Sequence, residues 1–263
     1  MTTQSILTKE NPMSDDAIYI EDLHTSVRNN FWEPRHPILQ GMSLRIARGS
    51  TVGFLGPNGA GKTTTIKAIL DLIRIDRGTI RVFESNNRDM KIRQRIGFMP
   101  ERPYFPEYLT GQEILRKHGR LAKIDETVLD TRIPELLYDT GIEHAARDQL
   151  RHYSKGMLQR LGLAQALIGD PDLLILDEPL SDLDPIGRSD VRHIMRKMKQ
   201  RGKTILFSTH ILPDVEELCD RIAIIIDGKL HKEDSVHNIL TSFASIEDLF
   251  VREVQSKTKR GAA

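Results

Sequence analysis

Gly56-Pro57-Asn58-Gly59-Ala60-Gly61-Lys62-Thr63-Thr64 stands between an apolar run at residues 51–55 and an amphipathic one at residues 66–73. The pattern G-x-x-x-x-G-K-T is a phosphate cradle: glycines let successive backbone N–H groups turn inward around a triphosphate, Lys62 reaches the β- and γ-phosphates, and Thr63 offers a hydroxyl to Mg²⁺. Its flanks agree. Val52, Phe54 and Leu55 suit a buried strand, and Ile66, Ile69, Leu70 and Ile73 fall at i, i+3, i+4 and i+7, so the loop joins a strand to a helix N-terminus, where the dipole favours anions.

The bulk properties narrow the possibilities. A chain of 263 residues holds one large α/β domain or a core with a smaller lobe. Lys plus Arg (38) nearly cancel Asp plus Glu (37), which argues against a protein that binds nucleic acid through bulk charge. A single cysteine, Cys219, excludes an intrachain disulfide framework and fits a reducing cytosol. The longest purely apolar run, residues 222–226, is far short of the roughly 20 residues that cross a bilayer, so any work at a membrane needs a partner. Residues 1–16 are polar, lack the apolar core of a secretory signal and are expected to be disordered.

Outward from the cradle, residues 18–23 and 42–47 read as strands around a turn-prone piece, residues 29–37, that carries Phe31 and Trp32. One of these aromatics is a candidate to lie on an adenine ring; packing of an ordinary hairpin is the equal alternative. Short strands follow at 79–83 and 96–99. From Glu101 to Asp170 the segments are helical: Thr110-Gly111-Gln112-Glu113 has capping-box form, residues 128–138 form a helix that Pro134 is expected to interrupt, and Ser154 caps a helix with Met157, Leu161, Ala164 and Ile168 on one stripe.

Residues 173–179, Leu-Leu-Ile-Leu-Asp-Glu-Pro, read as a buried strand ending in two carboxylates with different work. Asp177 is the expected metal partner, sharing Mg²⁺ with the cradle's threonine, and Glu178 the base or positioner of the attacking water. Ser181-Asp182-Leu183-Asp184-Pro185 then turns into a helix with Asp184 at N-cap and Val191, Ile194, Met195 and Met198 on its buried face. A second buried strand, residues 204–207, leads to Ser208-Thr209-His210. Ligands of open parallel sheets lie at the carboxyl ends of strands, so His210 is expected to contact the γ-phosphate beside Asp177 and Glu178.

Over residues 18–232 the chain resembles the ATP-binding subunits of ABC transporters. Gly56 to Thr64 looks like the family's Walker A and Leu173 to Glu178 like Walker B. Glu101 stands at the Q-loop position, Tyr153-Ser154-Lys155-Gly156-Met157 at the signature, Ser181 to Asp184 at the D-loop, and His210 at the switch histidine. The resemblance implies a P-loop NTPase core with a parallel sheet (residues 17–100 and 171–233), an antiparallel N-terminal β-subdomain, an inserted helical subdomain (101–170), and C-terminal helices with a basic tail (234–263). It also implies ATP and Mg²⁺ as cofactors, with Glu101 a third metal contact. Two ATPs are implied between the cradle of one subunit and the signature (Ser154, Lys155, Gly156, Met157) of a second copy or close paralogue. A separate transmembrane permease is the implied partner, with the subunit on the cytoplasmic face of the membrane.

Several positions depart from the family pattern. Glu101 replaces an amide, Lys155 and Met157 replace Gly and Gln, and Asp182 replaces the usual Gly. Pro100-Glu101 together with Tyr-Ser-Lys-Gly-Met resembles the exporter branch with separate membrane chains. An importer ATPase, or a soluble ABC-type ATPase with a non-membrane target, would share the catalytic motifs. Tyr104, Phe105 and Tyr108 stand where the family receives its membrane partner or, alternatively, in the core of the helical lobe. Residues 245–251 read as a short amphipathic helix.

Overall fold

A computed structural model of the chain describes residues 15–28, 32, 34–181 and 183–260, with side chains as far as residue 255. The expectations for residues 1–14, Phe31 and Asp182 lie outside the described residues, and Asp16, expected with residues 1–14 to be disordered, instead opens the first strand. Two sheets stack around the cradle. Strands β1 (Asp16–Val27), β2 (His36–Ala47), β4 (Arg77–Val82) and β5 (Ser85–Asn86) form an antiparallel sheet in the order β2-β1-β4-β5. The second has the order β10-β9-β3-β8-β7-β6, built from β3 (Thr51–Leu55), β6 (Ile96–Met99), β7 (Leu173–Asp177), β8 (Thr204–Thr209), β9 (Arg221–Ile226) and β10 (Lys229–Ser235). Its first five strands from β6 are parallel, and β10 adds to the edge antiparallel through a turn at Asp227 and Gly228, both left-handed.

Continuous apolar strands result from covering both faces. Along β3, Val52 and Phe54 enter a core shared with the antiparallel sheet and helix α1 (Lys62–Ile69), while Leu55 enters the core on the other face. β7 alternates likewise, Leu173 and Ile175 against Leu174 and Leu176. The second core is covered by α6 (Pro185–Gln200), α7 (Leu212–Leu218), α8 (Val236–Ser242) and α9 (Ile246–Arg260), with Ile246 and Leu249 of α9 fully inside it. A short helix α2 (Met90–Arg93) precedes β6.

Between β6 and β7 come α3 (Gly111–Leu121), α4 (Glu126–Asp139), two 3₁₀ turns and α5 (Lys155–Leu167), packed around a separate apolar cluster. The capping box at Thr110 is complete: Glu113 N donates to Thr110 Oγ1 (3.2 Å) and Thr110 N donates to Glu113 Oε2 (2.8 Å). Phe105 is buried in that cluster, whereas Tyr104 is 93% exposed and Tyr108 is also exposed, so the three aromatics divide between core and surface.

Four expectations are corrected. Helix α1 stops at Ile69, because Asp71 adopts a left-handed backbone (φ 52°) and Leu72 N donates back to Lys67 O at 2.8 Å, the wrapped ending that leaves Ile73 to pack from a loop. The strand expected at residues 79–83 ends at Val82, since Phe83 and Glu84 (φ 48° and 72°) turn the chain into β5, with the Phe83 ring stacked under the Arg95 guanidinium at 4.0 Å. Helix α4 runs through Pro134 without a break: burial of Leu129, Ile133 and Leu137 on one face outweighs one missing N–H. The amphipathic helix at 245–251 continues to Arg260 as α9.

Pro134 is exposed. Pro134→Ala restores the missing donor and removes the ring's clash with the preceding turn, and is expected to raise unfolding stability by about 1–3 kcal/mol, read from denaturant titration.

Candidate active site

The loop after β3 is pressed against β9. A Cβ on Gly56 would lie 2.3 Å from Ile225 O, so only glycine permits this passage. Gly61, at φ 107°, is the N-cap of α1 and brings no side chain to cap it, which leaves the first N–H groups of the helix for an anion. The backbone from Pro57 to Thr64 lines a cleft of about 400 Å³ whose far wall carries Glu101, Asp177 and Glu178. Lys62 is buried; its Nζ donates to Gly56 O at 2.6 Å and to Pro57 O at 3.4 Å, folding back on the loop it belongs to. Burial holds its ammonium below the ordinary lysine range, opposed by the negative charges of Glu178, Asp177 and Glu101.

The other half of the cleft is set by strand register. Asp177 of β7 is paired with Ser208 of β8, whose hydroxyl donates to Asp177 Oδ1 at 2.6 Å and accepts from the backbone N–H of Glu178 at 2.9 Å. One hydroxyl thus fixes both neighbouring acids. Glu178 leaves the strand in a left-handed conformation (φ 50°), an uncommon state for a residue with a side chain, and its carbonyl accepts from Ser181 Oγ at 2.9 Å. Its carboxylate Oε2 lies 2.9 Å from His210 Nδ1. A carboxylate can only accept, so Nδ1 carries the proton and any phosphate contact falls to Nε2, a donor only in the doubly protonated ring.

Asp177 is 3% exposed, and among the described residues no ion pair includes it. A buried carboxylate without a paired cation is costly, and hard oxygen donors at Thr63, Asp177 and Glu101 around a phosphate site fit Mg²⁺, which takes one or two carboxylates and completes its shell with phosphate and water.

Two contributors escaped the reading from sequence. Ser208 stands in the quoted Ser-Thr-His stretch, and its polar side chain at the end of an apolar strand was the available signal. Gln159, on α5, is buried and donates through Nε2 to Glu178 O (3.4 Å) and Pro179 O (3.3 Å). No spacing in the sequence announces that contact.

Other candidates stand apart. Ser154 caps α5, accepting from Met157 N at 3.2 Å, yet none of Ser154, Lys155, Gly156 and Met157 lines the phosphate cleft. Lys155 instead faces a smaller cavity, about 190 Å³, with Glu101, Ser181 and Leu183, and a Cβ at Gly156 would meet Leu183 Cδ2 at 3.5 Å. Asp184 caps α6 through Gly187 N at 2.7 Å. Trp32 is 85% exposed and does not line the cleft.

A Gly-rich loop between a buried strand and a helix, faced by two carboxylates and a histidine at neighbouring strand ends, defines a P-loop nucleotide-hydrolysing protein. Residues 39–181 match the family model described as ABC transporter. An ABC transporter ATP-binding protein of Nostoc sp., itself uncharacterized, is 45% identical over 240 residues, spanning 90% of this chain and 71% of the relative. The Nod factor export ATP-binding protein I of Burkholderia lata is 37% identical over 207 residues, 78% of this chain and 68% of the relative. Among solved structures, the ATP-binding subunit of an ABC transporter superposes with a TM-score of 0.80 at 30% identity, covering 90% of this chain and 99% of that one. The chain belongs to the ABC transporter family, as an ATP-binding subunit with ATPase activity. Among the described residues no helix is long and apolar enough to cross a membrane.

Lys62→Ala removes the buried ammonium that lines the cleft and is expected to lower ATPase turnover by about a hundredfold or more with the fold retained, checked by steady-state kinetics beside circular dichroism. Ser208→Ala leaves Asp177 Oδ1 and the Glu178 N–H without their shared partner; an expected loss of about 1–3 kcal/mol in stability, with a drop in turnover, is measured by thermal unfolding and ATPase assay.

Proposed function

We propose that this chain powers export through a separate transmembrane permease, and that it does so as a dimer that closes on ATP and opens on hydrolysis. One observation carries the dimer: the signature residues Ser154 and Gly156 sit at the start of a helix outside their own chain's phosphate cleft, and such a helix start is an anion site that serves a phosphate held by a second copy. The direction of transport rests on the Pro-Glu and Tyr-Ser-Lys-Gly-Met forms and on the likeness to a subunit named for Nod factor export. In this reading residues 17–100 and 171–233 are the hydrolytic core, residues 101–170 carry the signature and pass motion to the permease through the exposed Tyr104 and Tyr108, and the subunit works on the cytoplasmic face of the membrane.

Each residue has a task. The N–H groups of Gly59 to Thr64 hold the β- and γ-phosphates, with Lys62 exchanging its carbonyl partners for phosphate oxygens. Thr63, Asp177 and Glu101 would hold Mg²⁺, which supplies charge neutralisation for the triphosphate. Glu178 orients a water toward the γ-phosphorus and takes its proton as the new P–O bond forms and the bond to the β-phosphate oxygen breaks, releasing ADP and phosphate. His210, positioned by the Glu178 carboxylate, presents Nε2 to the γ-phosphate. An exposed aromatic such as Trp32 suits an adenine face.

The decisive measurement is light scattering on Glu178→Gln, which keeps shape while removing the base: the variant is expected to be monomeric alone, dimeric with Mg-ATP and monomeric with Mg-ADP, and Ser154→Arg added to it is expected to abolish the dimer. A mass that ignores ATP sinks the closing dimer. At the metal, Glu101→Gln is expected to be tolerated because its amide oxygen still coordinates, whereas Glu101→Ala is expected to raise the Mg²⁺ requirement in a metal titration of activity.

A further inference from the structure

Helix α9 reaches the hydrolytic centre from the far end of the sequence. A second cavity, about 240 Å³, shares Pro57 and Asn58 with the phosphate cleft and is otherwise walled by Gly56, Thr209, His210, Leu212 and Phe250, the one α9 residue in that wall among the described residues. The helix that delivers this ring is firmly seated: Ile246 and Leu249 are fully buried against the core that also holds Val215 and Leu218 of α7, and Ile246 N donates to Glu216 Oε1 at 2.8 Å.

The His210 loop, by contrast, is held by a few local bonds, among them Asp214 N donating to Ile211 O at 3.2 Å. The His210 side chain is 59% exposed and is tied by its bond to Glu178. Helix α7 starts two residues later with no side-chain cap, and the turn between is fixed by Ile211 N donating to Thr209 Oγ1 at 3.0 Å. An uncapped helix start next to an exposed side chain takes its position from what packs against it, and Leu212 and Phe250, with Pro57 of the phosphate loop, are the apolar side chains in the wall of the cavity beside it.

We propose that Phe250 is a positioning residue for ATP hydrolysis. Its ring closes the wall beside His210 and holds the His210 loop where the imidazole meets the γ-phosphate, so this one side chain of α9, and not the overall seating of the helix, sets turnover, while the phosphate loop, with Lys62 and its own N–H groups, sets affinity. This inference rests on the reading of His210 as a phosphate contact.

The test separates positioning from packing. Phe250→Ala is expected to lower kcat about tenfold with KM for ATP within about twofold, since a small misplacement of a reacting group costs rate more than binding. Phe250→Leu, which refills much of the space, restores most of the rate. Val254→Ala, one turn further along α9 and packed on the same core, is expected to lower the melting temperature without lowering kcat. In a His210→Ala background Phe250→Ala adds no further loss. Unchanged kcat in Phe250→Ala, an equal kcat loss in Val254→Ala, or additive losses with His210→Ala overturn the proposal. Should the alanine variant not fold, Phe250→Val compared with Phe250→Leu carries the same split. Full turnover in His210→Ala alone removes the reading of His210 itself, whereas a slow His210→Ala with a fast Phe250→Ala removes only the role of Phe250.

Discussion

Parallel pairing of three strands is the constraint on which the site depends. β3 pairs with β8 so that Leu55 lies beside Thr209, and β8 pairs with β7 so that Ser208 lies beside Asp177. The next residue of each strand is then Gly56, His210 and Glu178, which places the start of the phosphate loop, the imidazole and the acid at one edge of the sheet. Side-chain direction alternates along a strand, so a slip of one residue between β7 and β8 would turn Ser208 away from Asp177 and break the hydroxyl bridge that serves both acids. Apolar side chains on both faces of these strands make such a slip costly, because every one of them would exchange its core for the other.

The local strain at Glu178 follows from that arrangement. A left-handed residue directly after the strand directs the chain away from the sheet and leaves the carboxylate beside His210, while the peptide on either side is restrained by Ser208, Ser181 and Gln159. Gln159 comes from α5, the helix that Ser154 caps, so that helix touches the backbone behind the acid of its own chain. A shift of α5 and a shift of Glu178 are therefore mechanically joined within one subunit, before any second copy is considered.

The apolar interior has three parts, and the division bears on what can move. The two cores on either face of the large sheet share the strands themselves, whereas the cluster around α3, α4 and α5 draws on its own residues, among them Ile114, Leu129, Leu137 and Leu161. Helix α5 nevertheless ties that cluster to the sheet, because its Leu163, Ala166 and Leu167 belong to one of the two sheet cores, so any shift of the lobe about the segments near Glu101 and Asp170 has to repack that face.

From the sequence alone the phosphate loop, the acidic strand end and the helix caps at Thr110, Ser154 and Asp184 were legible, because each depends on residues within a few positions of one another and on fixed local geometry. Strand β3 and the buried face of α6 were legible for the same reason, through periodicity. Other features were set by partners distant in the chain. Whether Pro134 breaks its helix depended on how much apolar surface its neighbours could bury, and where α1 ends depended on a left-handed aspartate that no rule of spacing marks. The Ser208 bridge, the reach of Gln159 to Glu178 and the arrival of Phe250 beside His210 join residues 19 to 40 positions apart or more, and such contacts exist only once the sheet has fixed its register and the helices have been laid upon it.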